Sequence, residues 1–326
     1  MKRGAGRLAR TIAALAIGLA AGEAPAQSPP ERPLKILVGY APGGPADALA
    51  RIAAEILSQG LGQRVIVENR PGAGGSIAAG IVAKAAPDGS VLLLTTTSDV
   101  VNSLINPEVQ YDIETSFAPI ALVASAPNVL VVHPSVPVGS VQELIAYARS
   151  RPGALSYGSA GFGTVSHLAA AALAQGARLE VVHVPYKGTA AAQIDLIGGR
   201  LQFMFDSMGG ALASAKAGRV KALAVTSPGR WPSAPELPTM AESGFPDFDM
   251  TAWFGLLAPA GTSAQSVARI SEVVLNGVQT ADSRQRIGTF GGEPGRMTPA
   301  EFARYIRAEN ARWRKLFRDG RLVVER

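Results

Sequence analysis

The chain contains no cysteine, three histidines and few aromatic residues (6%). Without thiols there are no disulfides, thiolate metal sites or cysteine nucleophiles. His133, His167 and His183 form no i, i+4 pair and have no carboxylate at zinc-protease spacing, so no metal is expected. Nucleotide signatures are missing too. Ile77 stands where the third glycine of a GxGxxG motif would follow Gly72-Ala73-Gly74, and no GxxxxGK[ST] occurs. Tyr157 replaces the glycine that a GxSxG nucleophile elbow at Ser159 would need. No cofactor is expected.

Long hydrophobic runs are scarce as well. Thr11 to Gly22 is too short to span a bilayer, which takes roughly 20 apolar residues. It follows Lys2, Arg3, Arg7 and Arg10 and precedes Ala24-Pro25-Ala26, the layout of a cleavable signal peptide over residues 1–26. An exported, soluble, periplasmic chain is expected. A strong excess of one charge is also lacking: of the net +6, the leader carries four positive residues and Glu23 (+3), leaving +3. The cluster Arg312, Arg314, Lys315, Arg318 and Arg321 has no aromatic interleaving and reads as a solvated face, so no nucleic-acid partner is expected.

What is present is a repeated unit. Ile36 to Tyr40 is an unbroken apolar run that reads as a buried strand, Ala41-Pro42-Gly43-Gly44-Pro45 a turn, and Leu49, Ile52, Ala53, Ile56 and Leu57 recur at helical spacing. The unit returns at Arg64–Glu68, the Gly72–Gly75 turn and a helix from Ile77 to about Ala85. Val91–Thr96 is a third strand. Phe117–Ser125 and Asn128–His133 read as two strands separated by Pro127. A second series starts at Val141: strands near 156–158, 181–184, 201–205 and 220–226, with helices between. A strand at Trp253–Ala258, helices at Ser263–Asn276 and Pro299–Leu316 and a final Leu322–Val324 segment close the chain. The alternation predicts an α/β fold with mostly parallel sheets. Its interruptions predict two lobes, 33–127 plus 251–326 and 128–250.

In open α/β sheets ligands lie at the carboxyl ends of strands. Five polar or glycine turns fall there, and helix N-termini favour anions. Ser159, Thr164 and Ser166 can donate hydrogen bonds. Asp206 can accept one from a ligand or cap the helix after it; His167 can contact a ligand or pack. Tyr40 and Phe162 can wall a cleft or belong to the core, and Lys187 can supply a positive charge or sit in solvent. A rival reading assembles Ser159, His167 and Asp206 into a serine-hydrolase-like set, though nothing local supports an activated nucleophile.

The stretches YAPGGPAD (40–47), ENRPGAGGSIAAG (68–80), PDG (87–89), YGSAGFGTVSHLA (157–169), HVPYKGTAAAQIDLIGGRLQFMFDS (183–207) and PTMAESGFPDF (238–248) resemble the Bug family. These are extracytoplasmic receptors of tripartite tricarboxylate transporters, and the likeness spans nearly the whole mature chain. It implies a two-lobed periplasmic-binding-protein fold, type II-like, closing on a dicarboxylate, tricarboxylate, acidic amino acid or aromatic acid. It implies that Tyr40, Pro42, Gly43 and Gly44, with Ala73 and Gly74, hold one carboxylate, and that Ser159, Thr164, His167 and Asp206 handle the other end. Pro45 and Ala192 depart from the family's usual residues, and proline at 45 removes an N–H. The resemblance implies a non-catalytic, monomeric receptor serving the transporter's membrane subunits or a sensor; a stand-alone signalling receptor has the same sequence signature.

Overall fold

The first strand, β1 (Leu34–Val38), buries Ile36, Leu37 and Val38 on both faces, as strands flanked by helices on each side do. In the computed structural model, which describes residues 33–320 and 322, it feeds α1 (Pro45–Leu61). Pro45 opens that helix where a missing N–H costs nothing, and Gly62 ends it in the left-handed conformation. β2 (Val65–Asn69) passes through a 3-10 turn at Ala73–Gly75 into α2 (Ser76–Ala83). β3 (Val91–Thr96) runs directly into α3 (Thr97–Ile105), whose capping box joins Thr96 and Asp99.

β4 (Phe117–Val132) is one 16-residue strand. The expected break at Pro127 is absent: register shifts accommodate the strand's irregularities, and Pro127 itself stays paired opposite Thr251. The second series is α4 (Val141–Arg149), β5 (Leu155–Ser159), α5 (Val165–Ala177), β6 (Val181–Pro185), α6 (Thr189–Ile197), β7 (Phe203–Ser207), α7 (Met208–Lys216) and β8 (Lys221–Val225). β9 (Thr251–Pro259) precedes α8 (Ala264–Val278), α9 (Ala281–Thr289), the short β10 (Glu293–Pro294) and α10 (Pro299–Arg318). Leu322 is buried, and the remainder of the expected 322–324 segment, like the leader, lies outside the described residues.

The strand order is β2-β1-β3-β9-β4-β7-β5-β6, with β8 and β10 also on β4. The outer strands are parallel, β2-β1-β3 at one end and β7-β5-β6 at the other. β9 and β4 lie antiparallel between them. Each half therefore carries helices over a mostly parallel sheet, and β4 serves both: its first part pairs with β9, its last five residues with β7 and β8. One apolar cluster runs from Leu93, Trp253 and Phe302 to Leu168, Phe203 and Phe205; each half also has a core of its own on its other face. Among the described residues no helix is long and apolar enough to cross a membrane.

Candidate functional site

Because both outer groups of strands are parallel, each brings the loops after its strands to one edge, and the two edges face one another. Between them lies a cavity of about 250 Å³. Tyr40, Pro42 and Gly44 follow β1 there, and Thr96, Thr97 and Ser98 end β3. From the other half come Thr164 and Ser166 after β5, Lys187 to Ala191 after β6, and Ser207 after β7. Ala252 and Phe254 of β9 complete the wall. Lys187 is the one cation among the described residues that line it.

The two halves touch. The Ala41 N–H donates to the Lys187 carbonyl at 3.1 Å. The Gly74 turn lies against the 161–163 turn so closely that a Cβ on Gly74 would stand 2.3 Å from the Phe162 carbonyl oxygen and 2.6 Å from Asn102 Nδ2. Tyr40 Oη donates to the Gly74 carbonyl at 3.0 Å and meets Thr96 Oγ1 at 3.1 Å. Burial, with Asp99 nearby, pushes its phenol well above the usual range, so it is un-ionised.

Of the candidates from sequence, Tyr40, Pro42, Gly44, Thr164, Ser166 and Lys187 line the cavity; the others stand beside or behind its wall. Gly43, at φ 94°, turns its N–H back to Asp47 Oδ2 (3.2 Å). Burial would raise the Asp47 carboxyl, but hydrogen bonds from Arg51, Asn69 and Gly43 hold it below its ordinary value. Ala73 and Gly74 belong to the contact between the halves. Asp206 is buried beneath the start of α7 and accepts from the Ser207 N–H (2.7 Å) and Gln193 Nε2 (2.8 Å). Burial pushes its carboxyl up to about 7.

Ser159 is fully buried, and its Oγ meets His183 Nε2 at 2.6 Å rather than His167. That hydroxyl also donates to the Gly161 carbonyl and accepts from the Gly161 N–H, so it is committed to holding its own turn. His167 accepts from the Gly163 N–H and stacks on His183 with ring centroids 4.0 Å apart. Burial pushes His167 down to about 3, with His183 adding to it, and His183 to about 4. Ser159, His167 and Asp206 thus do not assemble into a relay among the described residues. The serine–histidine contact that does form braces the 159–163 turn.

Reading the sequence did not select Thr96 to Ser98, Asn128, Thr189 to Ala191, Ile194, Ser207, Ala252 or Phe254. The first group had a signal: Thr96-Thr97-Ser98-Asp99 is a strand end with a cap spacing. Ala252 and Phe254 had none, since they arrive through a return of the chain from far along the sequence.

The arrangement matches known proteins. The family model described as "Tripartite tricarboxylate transporter family receptor" fits residues 49–322. BugT of Bordetella pertussis is 32% identical over 96% of this chain and 98% of its own length. An R. palustris protein solved with adipate superposes with a TM-score of 0.84 at 36% identity, over 89% of this chain and 98% of that one. MatC of Rhodopseudomonas palustris with bound malate gives 0.84 at 32% identity, over 88% and 99%.

Proposed function

The chain belongs to the family of tripartite tricarboxylate transporter receptors, and from that premise we propose that it captures a small carboxylate in the cavity between its two halves. The observation that carries the reading is the composition of that cavity. It is walled by the carboxyl ends of strands from both halves, and the start of α6 opens onto it beside Lys187. The first N–H groups of a helix lack intrahelical partners and sit at its positive end, which suits a carboxylate. Relatives of the same fold hold adipate and malate.

The lobes on this reading are 33–127 with 251–326, and 128–250. A solute touching both favours the shut arrangement, because it gains contacts there that the open one lacks. The receptor is non-catalytic, works as a monomer in the periplasm after loss of a leader over 1–26, and hands its solute to membrane subunits or a sensor.

The test is a thermal-shift screen of the protein, cleared of bound solute by unfolding and refolding, against carboxylic acids and their uncharged amides. An acid at 100 times its dissociation constant adds about 2.7 kcal/mol of stability, and its amide is expected to add far less. Equal stabilisation by acid and amide, or by no acid at all, overturns the reading. Turnover of an ester that is abolished by Ser159→Ala in a folded protein overturns the non-catalytic assignment.

A further inference from the structure

Five helices begin at the cavity, and they differ in what meets their first N–H groups. The starts of α3 and α5 are capped by Thr96 and Thr164. Before α7 the Asp206 carboxyl takes the N–H of the N-cap residue Ser207, and the helix start itself has no side-chain cap. At α1 the first helical residue is Pro45, which has no N–H to give. α6, with Gly188 at its N-cap and no side-chain cap, turns Thr189, Ala190 and Ala191 toward the cavity directly after Lys187. Three backbone donors of the 160–163 turn point inward. Ala160 N–H donates to Ser166 Oγ at 3.0 Å, Gly161 N–H to Ser159 Oγ at 3.1 Å and Gly163 N–H to His167 Nδ1 at 3.1 Å. Of the uncapped starts, only that of α6 stands beside the single cation among the described lining residues.

Much of the remaining wall is apolar: Pro45, Val165, Ile194, Ala252 and Phe254. Pro45 and Phe254 also line a second chamber of about 20 Å³, closed on its far side by Leu49, Ile287 and Phe290. An apolar cavity of about 150 Å³ is enough to take benzene. The roughly 250 Å³ here has room for a ring or a short alkyl chain with its carboxylate. The polar lining residues away from Lys187, among them Thr96, Ser98, Ser166 and Ser207, are neutral, and a second carboxylate laid against the Pro45, Ile194 and Phe254 surface would be desolvated with no cation to meet it, which is unfavourable.

Resting on the carboxylate reading above, we infer that the cavity selects monocarboxylates with an apolar body over dicarboxylates and tricarboxylates. The α6 start and Lys187 hold the anionic end. Pro45, Ile194 and Phe254 are the residues that set the choice.

Calorimetric titration of the cleared protein with benzoate, hexanoate, adipate, malate and citrate tests this. Benzoate or hexanoate is expected to bind at least about tenfold more tightly than the three polyacids, the scale on which sites discriminate by a buried group left without a partner. Ile194 is 68% exposed, so Ile194→Lys is tolerated by the fold and adds a cation at the apolar wall. In that variant adipate is expected to gain, and hexanoate to lose, roughly tenfold. Tighter binding of adipate, malate or citrate by the unaltered protein, or affinities within threefold of each other, overturns the inference and leaves the carboxylate reading standing. Silence with all five acids while amides bind overturns both.

Discussion

At Gly74 the backbone turns with φ 64°, and the next half of the molecule begins where a side chain would. A methyl group there meets the Phe162 carbonyl oxygen and Asn102, so Gly74→Ala must wedge the two glycine turns apart. The expected outcome is a loss of carboxylate affinity of tenfold or more. The unliganded protein loses more than the roughly 1 kcal/mol of a left-handed alanine, because the Phe162 carbonyl must also shift. Calorimetry reads the first and denaturant melts the second. Gly43 is the contrast: its φ of 94° is strained for any other residue, but the space beside it is open, so Gly43→Ala carries the backbone cost alone. Both glycines were legible as turn residues, because few other residues relax there. That one faces a cavity's edge and the other a seam was not legible, since the seam depends on Phe162 and Asn102, which come from elsewhere in the chain.

Among elements, β9 and α10 show how the chain's last quarter secures the first half. Trp253 and Trp313 are both fully buried, and both indole N–H groups donate to Glu309 Oε2, at 3.3 and 3.2 Å. Glu309→Ala leaves two buried donors without an acceptor and is expected to cost about 2–4 kcal/mol in chemical denaturation, while Glu309→Gln, which keeps an oxygen, costs less. The strand–turn–helix units were readable because buried parallel strands are uninterrupted apolar runs and the helices between them carry apolar stripes. α3 and α9 were missed for different reasons. α3 follows its strand with no intervening loop. α9 buries just Ser283 and Ile287, too little to leave a periodic signature. β4 was divided at Pro127 because proline usually ends a strand; here it lies where the strand passes from one half to the other.

For the whole molecule, stability against pH rests partly on four buried groups. Burial raises Asp99 and Asp206 to about 7 and lowers His167 and His183 to about 3 and 4. Between about pH 4 and 6.5 the folded chain holds two carboxyl protons that the unfolded chain has released, and the unfolded chain holds two imidazolium protons that the folded chain excludes. The two pairs offset one another, so their joint contribution is flat there. Below about pH 4 the unfolded carboxyls take up protons as well, and stability falls. Asp206→Asn removes one proton from the folded side. Relative to the unaltered protein, the variant is expected to lose roughly 1.4 kcal/mol for each pH unit of acidification between 6.5 and 4.5, measured by denaturant titration. The junction between the halves has a consequence of its own. On the division proposed above the chain crosses twice, at Pro127–Asn128 and at Met250–Thr251, and the crossings lie side by side because Pro127 pairs with Thr251. Two joined ribbons form a leaf spring, compliant to folding across its width and stiff to shear and torsion. Its resting set fixes the fraction of empty receptors already shut, and apparent affinity scales with that fraction. Receptors with identical pockets can therefore be tuned to solute concentrations decades apart by substitutions in the spring alone.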